Sequence, residues 1–303
     1  MLDKKYRPNT FDEVRGNDAL VASLKTVVAR PETIPSSFLL TGPSGCGKTT
    51  IARILAKEIG ATKYSIYQYN NADYRGIETA REINQKVKFF PMEGEKKVYI
   101  LNECHQGTAA FFNALLETLE EPPKTCHFIL CTTEPGKLIR TVRTRCATYS
   151  VSSLTSRELK SLVEDVCAME GVNPRNKKRG ILQIAKFSEG CPRQALILLE
   201  SVIGLPNEED WLEAVRDFSQ RTTTVVDLFR GIMAGANWPQ IAPILKTMEG
   251  EPEPIRKALL TMAEREMLKP EFDMRAFDII DILSSPIYER PVLTSRLFKI
   301  IVT

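Results

Sequence analysis

No Cys-x-x-Cys pair occurs among the seven cysteines of this 303-residue chain, which stand at 46, 104, 126, 131, 146, 167 and 191. Several lie inside apolar runs, as free buried thiols do, so neither a zinc module nor a disulfide framework is expected and a reducing compartment is. No apolar run approaches the roughly 18 residues of a membrane span. The segment Met1–Tyr6 lacks the apolar core of a signal peptide, so the expected location is the cytoplasm, with no membrane partner. Low-complexity segments and internal repeats are missing too. The net charge of +3 is too small to argue for a nucleic-acid partner by itself. What remains is an ordinary globular composition, 43% hydrophobic and 26% charged, and a length that predicts two or three domains.

Against that plain background one stretch carries most of the information. Residues 42–49 read Gly42-Pro43-Ser44-Gly45-Cys46-Gly47-Lys48-Thr49, a complete G-x-x-x-x-G-K-[ST] loop, followed by Thr50. The three glycines allow a tight turn whose backbone N–H groups wrap phosphates. Lys48 is placed to reach the β- and γ-phosphates, and the Thr49 hydroxyl to sit on Mg²⁺. Before the loop Ser37–Leu40 reads as a short apolar strand, and after it Thr50–Ala56 has helical spacing, so a helix N-terminus points its partial positive charge at the phosphates. The loop predicts a bound nucleoside triphosphate with Mg²⁺.

The pattern from residue 38 to about 150 alternates strands (63–69, 97–101, 127–131) with helices (77–89, 108–119), which predicts an α/β domain with a parallel sheet and ligand at its carboxyl edge. From Thr155 onward only helices are expected, with a second boundary at Gly204-Leu205-Pro206-Asn207 and further helices over 225–233, 238–248, 255–268, 276–283 and 292–301. The predicted domains are 1–152 for nucleotide binding, 153–206 as a small helical lid, and 207–303 as an all-α domain whose apolar stripes form its own core.

An apolar strand ending in acid is the expected partner of a phosphate loop. Here Ile100-Leu101 runs into Asn102-Glu103. Glu103 is placed to polarise the attacking water. Asn102 stands where an Asp normally orders the Mg²⁺ shell; an amide can hold a metal-bound water but brings no negative charge. Three readings of Asn102 stand: a natural variant with slower turnover, a subunit that binds ATP but hydrolyses poorly, or a deliberate substitution. After the strand 128–131, Thr132-Thr133 offers hydroxyls to the γ-phosphate or the water. His105 and His127 are read as structural, since phosphoryl transfer does not need them.

The residues resemble a known family, the ATPase subunits of DNA sliding-clamp loaders within the AAA+ superfamily. These include the bacterial polymerase III gamma/tau subunit, the small subunits of replication factor C and their phage counterparts. The resemblance rests on Lys5-Tyr6-Arg7-Pro8 with Phe11–Val14 and Gly16, and on Asn71–Ile77. It rests further on Asn113–Pro123, on Thr144-Arg145-Cys146, and on Gly190–Leu196, which contains Arg193. These motifs cover residues 5 to about 200 in family order. The resemblance implies that Tyr6, Arg7 and Pro8 lie against the adenine, that Thr133 is a first sensor, and that Arg193 reaches the γ-phosphate from the lid. It implies that Arg145 is an arginine finger completing a neighbouring subunit's site. The partners implied are further loader subunits in a pentameric spiral, a sliding clamp, and the backbone of primer–template DNA. The C-terminal domain would be the oligomerisation collar.

Departures from the family pattern are Asn102 for Asp, Thr144 for Ser, and the direct passage from Gly60 to the next strand. A cysteine-rich zinc module stands at that point in cellular gamma/tau subunits. That short passage, with the Asp73-Tyr74-Arg75-Gly76-Ile77 stretch, favours a phage or archaeal/eukaryotic-like subunit over a cellular gamma/tau subunit. Arg75 and Thr108, at two helix starts, either face the DNA channel or are simply solvated. The basic run 175–179 is read as a solvated loop face rather than a DNA patch. A helicase loader or Holliday-junction motor of the same superfamily, and an ATP-binding subunit that only presents Arg145, remain as rivals.

Overall fold

In the computed structural model of the protein, all residues are described except 92, 249–250, 269–272 and 303; the side chains at 217 and 219–224 are also not described. The chain forms two compact units, Met1–Trp211 and Leu212–Thr303.

The first unit opens with α1 (Leu2–Lys5) and α2 (Asp18–Val28), then β1 (Ser37–Thr41), α3 (Lys48–Glu58) and β2 (Ile66–Asn70). It continues with α4 (Ile77–Val87), β3 (Lys97–Asn102), α5 (Ala109–Glu120), β4 (Cys126–Thr132), the short α6 (Arg140–Thr144) and β5 (Ala147–Ser150). The five strands form one parallel sheet in the order β2-β3-β4-β1-β5. Alternation along the strands explains the layering. Phe38, Leu40, Val98, Ile100 and Ile129 point to one face, where Ile51, Ile54 and Leu55 of α3 cover them. Leu39, Tyr99, Leu101, Phe128 and Leu130 point to the other, beneath Ile83 of α4 and Phe111 and Leu115 of α5. Both faces are therefore apolar, as a sheet sandwiched between helices requires. The single charged residue opening β3, Lys97, is buried, and its ammonium donates to the carbonyls of Lys86 and Phe89 at the end of α4. Burial lowers its pKa from the usual lysine value.

The unit closes with α7 (Ser156–Met169), α8 (Lys178–Phe187) and α9 (Pro192–Val202). Thr155 begins α7 with a reciprocal cap: its hydroxyl accepts from the Glu158 N–H while the Glu158 carboxylate accepts from the Thr155 N–H. Arg175, Asn176, Lys178 and Arg179 of the basic run are exposed, as expected from its composition, but Lys177 is not. Lys177 is buried, donating to the Leu205 and Pro206 carbonyls at 3.2 and 2.6 Å and lying over the Trp211 ring. Its task is to hold the turn before the next helix.

That helix, α10 (Glu208–Met233), begins 17 residues earlier than the apolar spacing alone suggested and contains the division between the two units. The second unit adds α11 (Trp238–Thr247), α12 (Pro252–Met267), α13 (Met274–Ile282) and α14 (Arg290–Val302). Leu228, Ile241, Leu259, Ile279 and Leu297 form its core. Among the described residues no helix is long and apolar enough to cross a membrane.

Candidate functional site

The loop between β1 and α3 holds three glycines at positive φ, and two of them are required for packing as well as for conformation. Gly42 (φ 145°) passes so close to the chain that a Cβ would lie 2.1 Å from the Val151 carbonyl oxygen. At Gly45 (φ 73°) a Cβ would lie 2.3 Å from Cys191 Sγ, so the loop packs directly against the start of α9. Gly47 (φ 107°) begins α3, aiming the helix N-terminus at the loop. Lys48 is buried, and its ammonium donates to the Gly42 and Pro43 carbonyls at 2.7 Å each. A cation is thereby fixed within the loop that the sequence assigned to phosphates.

A cleft of about 490 Å³ opens beside this loop. Ser44, Cys46, Thr49 and Thr50 line its floor with Gly45, Gly47 and Lys48. Tyr6, Arg7 and Pro8 form one wall, and Arg193 on the first turn of α9 forms another. Asn102 and Glu103 close the end nearest the sheet. Gly42 and Pro43 contribute only through the carbonyls that hold Lys48. The Tyr6 wall is anchored from behind: the Glu170 carboxylate accepts from Tyr6 Oη and from Lys5 Nζ, each at 2.7 Å. These bonds lower the Glu170 pKa and raise that of Tyr6.

At the sheet edge the Thr49 hydroxyl donates to Asn102 Oδ1 at 2.7 Å. Asn102 Nδ2 is buried without a hydrogen-bond partner. One residue on, Glu103 adopts a left-handed backbone (φ 46°) just past the end of β3. The Thr133 hydroxyl, beyond the tip of β4, donates to the Glu103 carboxylate at 3.3 Å. Thr133 thus stands behind Glu103 rather than on the cleft wall. Thr49 and Asn102 both present oxygens, the donor atom Mg²⁺ prefers, but neither carries the negative charge of a carboxylate, so they fit that ion in kind though not in charge.

Polar groups not expected from the sequence also line the cleft, among them Arg53, Gln68, Asn70 and Glu13. Arg53 donates through Nε and Nη2 to Gln68 Oε1 at 3.0 and 2.6 Å, and burial lowers its pKa. The signal was available in Gln68 and Asn70, polar residues two apart on a strand of a parallel sheet, at its carboxyl edge.

Three more predicted residues lie outside the cleft and have their partners elsewhere. Arg145, just after α6, makes an ion pair with Glu120 at 2.8 Å and donates to the Thr141 carbonyl, while its Nε is buried and unpartnered. Arg75 is exposed before α4, and its carbonyl accepts the Thr108 N–H at 3.1 Å, setting the N-termini of α4 and α5 side by side. The Thr108 hydroxyl is used as the α5 cap, accepting from the Phe111 N–H. Of the histidines, His127 is tied to the Pro35 carbonyl at 3.0 Å and burial lowers its pKa. His105 lies next to Glu103.

Comparison with known proteins adds a family to this geometry. A family model described as DNA polymerase III, delta subunit, matches residues 64–155. The chain is 31% identical over 225 residues to the DNA polymerase III subunit gamma/tau of Mycobacterium tuberculosis, covering 67% of this chain and 38% of that protein. It is 32% identical over 255 residues to the tau subunit of Bacillus subtilis, covering 77% of this chain and 44% of the relative. The chain therefore spans less than half the length of these two curated relatives. These are cellular bacterial subunits, although the passage from Gly60 to β2 is short here and no cluster of metal-ligating side chains occurs among the described residues. Among solved structures, the Thermotoga maritima RuvB Holliday junction branch migration motor matches with a TM-score of 0.60 at 21% identity, over 80% of this chain and 86% of that one. That likeness supports the α/β AAA+ fold alone. With its motifs, its sheet and these relatives taken together, the chain belongs to the clamp-loader family of AAA+ proteins that includes the bacterial DNA polymerase III gamma/tau subunits.

Proposed function

We propose that this protein is an ATP-hydrolysing subunit of a sliding-clamp loader, binding ATP in the cleft beside Lys48. The observation that carries this reading is the convergence of Lys48, Thr49, Glu103 and Arg193 on one 490 Å³ cleft, with Thr133 holding Glu103 from behind. Lys48 and the loop N–H groups would cradle the phosphates, while Tyr6, Arg7 and Pro8 face the base. Glu103 would accept a proton from, or orient, the attacking water, held in place by Thr133. Thr49 and Asn102 would hold Mg²⁺, which when bound neutralises charge on the phosphates. Arg193, at the start of α9, would join the γ-phosphate to the lid, so that loss of that phosphate frees the lid.

We read residues 1–152 as the nucleotide-binding domain, 153–206 as its lid and 207–303 as the collar through which subunits assemble, five to a spiral. Arg145 lies outside its own subunit's cleft, which suits a finger offered to the next subunit. ATP at these interfaces would favour the tight spiral that opens a clamp and grips primer–template DNA. Arg75 and the adjacent N-termini of α4 and α5 would track the phosphate backbone without reading sequence. Hydrolysis would release the loaded clamp.

A second reading, a subunit that binds ATP but turns it over poorly, is favoured by one observation: the Asn102 oxygen is neutral and already accepts from Thr49. Steady-state hydrolysis by the protein and its companion subunits, with and without clamp and primer–template DNA, separates the two. Stimulation by both together supports the loader ATPase. Tight ATP binding without turnover supports the second reading.

A further inference from the structure

His105 occupies a place that the hydrolysis scheme leaves unused. It belongs to the short 3-10 turn after Glu103, its side chain is only 7% exposed, and both ring nitrogens face groups of the sheet's carboxyl edge. Nδ1 lies 3.0 Å from Thr132 Oγ1 and 3.6 Å from the Glu103 carboxylate. Nε2 lies 3.3 Å from the Glu134 carboxylate, whose other oxygen pairs with Lys137. Thr132 Oγ1 also accepts the Glu134 N–H at 3.0 Å. The ring is therefore wedged between the end of β3 and the connection leaving β4.

Glu103 needs such support. Its φ of 46° is a conformation that non-glycine residues rarely adopt, and it persists only where the surroundings over-determine it. The turn supplies part of this, through Gln106 N–H to the Glu103 carbonyl at 2.9 Å and Gly107 N–H to the Cys104 carbonyl at 3.0 Å. Those bonds fix the backbone and leave the carboxylate free to swing. The side chain is held from two sides: Thr133 donates to Oε2, and His105 Nδ1 stands against the same oxygen. The two adjacent threonines at the tip of β4 are divided between these tasks, Thr132 seating the imidazole and Thr133 seating the carboxylate.

We propose that His105 is a positioning residue for Glu103, holding the carboxylate in register with the tip of β4 so that it faces the cleft. This rests on the reading of Glu103 as the group that polarises water. The Nδ1 edge does the positioning, and the Nε2–Glu134 contact anchors the ring.

The test uses the protein with its companion subunits, ATP, clamp and primer–template DNA, measuring kcat, KM and ATP affinity for three variants. His105→Ala is expected to lower kcat about 10- to 100-fold, the loss typical of displacing a reacting group by about 1 Å, with KM and ATP affinity unchanged. His105→Asn, which returns a nitrogen near the Nδ1 position, is expected to recover most of that loss. His105→Gln keeps the bulk and reaches toward Glu134 but vacates the Nδ1 side, and it is expected to be as slow as the Ala variant; it also serves where the Ala variant does not fold. Wild-type kcat in the Ala or Gln variant, an Asn variant no better than Ala, or a parallel loss of ATP affinity would overturn the proposal. A wild-type assembly without turnover would instead remove the reading of Glu103, and this proposal with it.

Discussion

The Thr49 hydroxyl donates to the Asn102 amide oxygen at 2.7 Å, joining the last residue of the phosphate loop to the last residue of β3. The contact places two neutral oxygens where a phosphate loop and an acidic strand end ordinarily combine one neutral and one negative donor. It also leaves the Asn102 amide nitrogen buried without a partner.

Replacing that amide by a carboxylate, Asn102→Asp, removes the unpartnered nitrogen and adds a charge facing Thr49. DNA-stimulated kcat is expected to rise about tenfold, with Mg²⁺ required at lower concentration and ATP affinity little changed. A Mg²⁺ titration of steady-state turnover checks both.

Glu103→Gln keeps the shape of the side chain and an oxygen for Thr133 but removes the carboxylate proposed as the base. The expected loss is about 10²- to 10⁴-fold in kcat with ATP binding retained. Lys48→Ala is expected to lose ATP binding itself. Equilibrium binding of a fluorescent ATP analogue distinguishes the two variants.

Arg145 is expected to act in trans. Arg145→Ala leaves ATP binding by the isolated subunit intact and lowers turnover of the assembly about 10³-fold or more. Its pair with Glu120 is partly exposed, so stability changes little on its loss. Mixing this variant with a Lys48→Ala subunit, each carrying the part the other lacks, tests whether the arginine serves a neighbour.

Gly42→Ala meets both a positive φ and a carbonyl oxygen at 2.1 Å from the new Cβ. The added strain is expected to cost about 2 kcal/mol or more and to lower the unfolding midpoint, with ATP affinity falling too. Gly136→Ala, where a Cβ meets nothing within 4 Å, is the matched control.

In the second unit, Glu253 pairs with the buried Arg256 at 2.6 Å and accepts the Ile287 N–H. The Arg256 guanidinium, followed by that N–H, depresses the Glu253 pKa from 4.5 to about 2. A depressed carboxylate stabilises the fold above its unfolded value, and that contribution disappears as pH falls from about 4.5 through about 2. Hydrogen-exchange protection of α12 is expected to decline over that window, and to decline less in Glu253→Gln.

Much of this architecture was legible because its signals are local. The glycine spacing at 42–47, the apolar runs of β1, β3 and β4, and the Thr155–Glu158 cap each declare themselves within a few residues. The sheet's fifth strand, Ala147–Ser150, did not, because it lies at the sheet edge with half of its residues exposed and no apolar run. The first half of α10 was missed for a similar reason: Trp211, Leu212 and Val215 are buried, but charged residues separate them from the clear stripe after Val225. At the site, loop residues could be named from sequence, whereas the contacts of His105 with Thr132 and Glu134 span 27 and 29 positions. Lys177 shows the same limit: its composition suggested solvent, and only the fold reveals the two carbonyls it holds.

Clamp loading itself is the sharpest test of whether ATP held beside Lys48 drives a loader. A labelled sliding clamp is mixed with circular primed DNA, the protein and its companion subunits, and clamp retained on the DNA is measured after ATP is added. Retention is expected to require ATP, to fall sharply in Lys48→Ala and to be slowed in Glu103→Gln. Retention that is independent of ATP and of Lys48, or none at all while ATP is turned over with DNA alone, would contradict the proposed loader function.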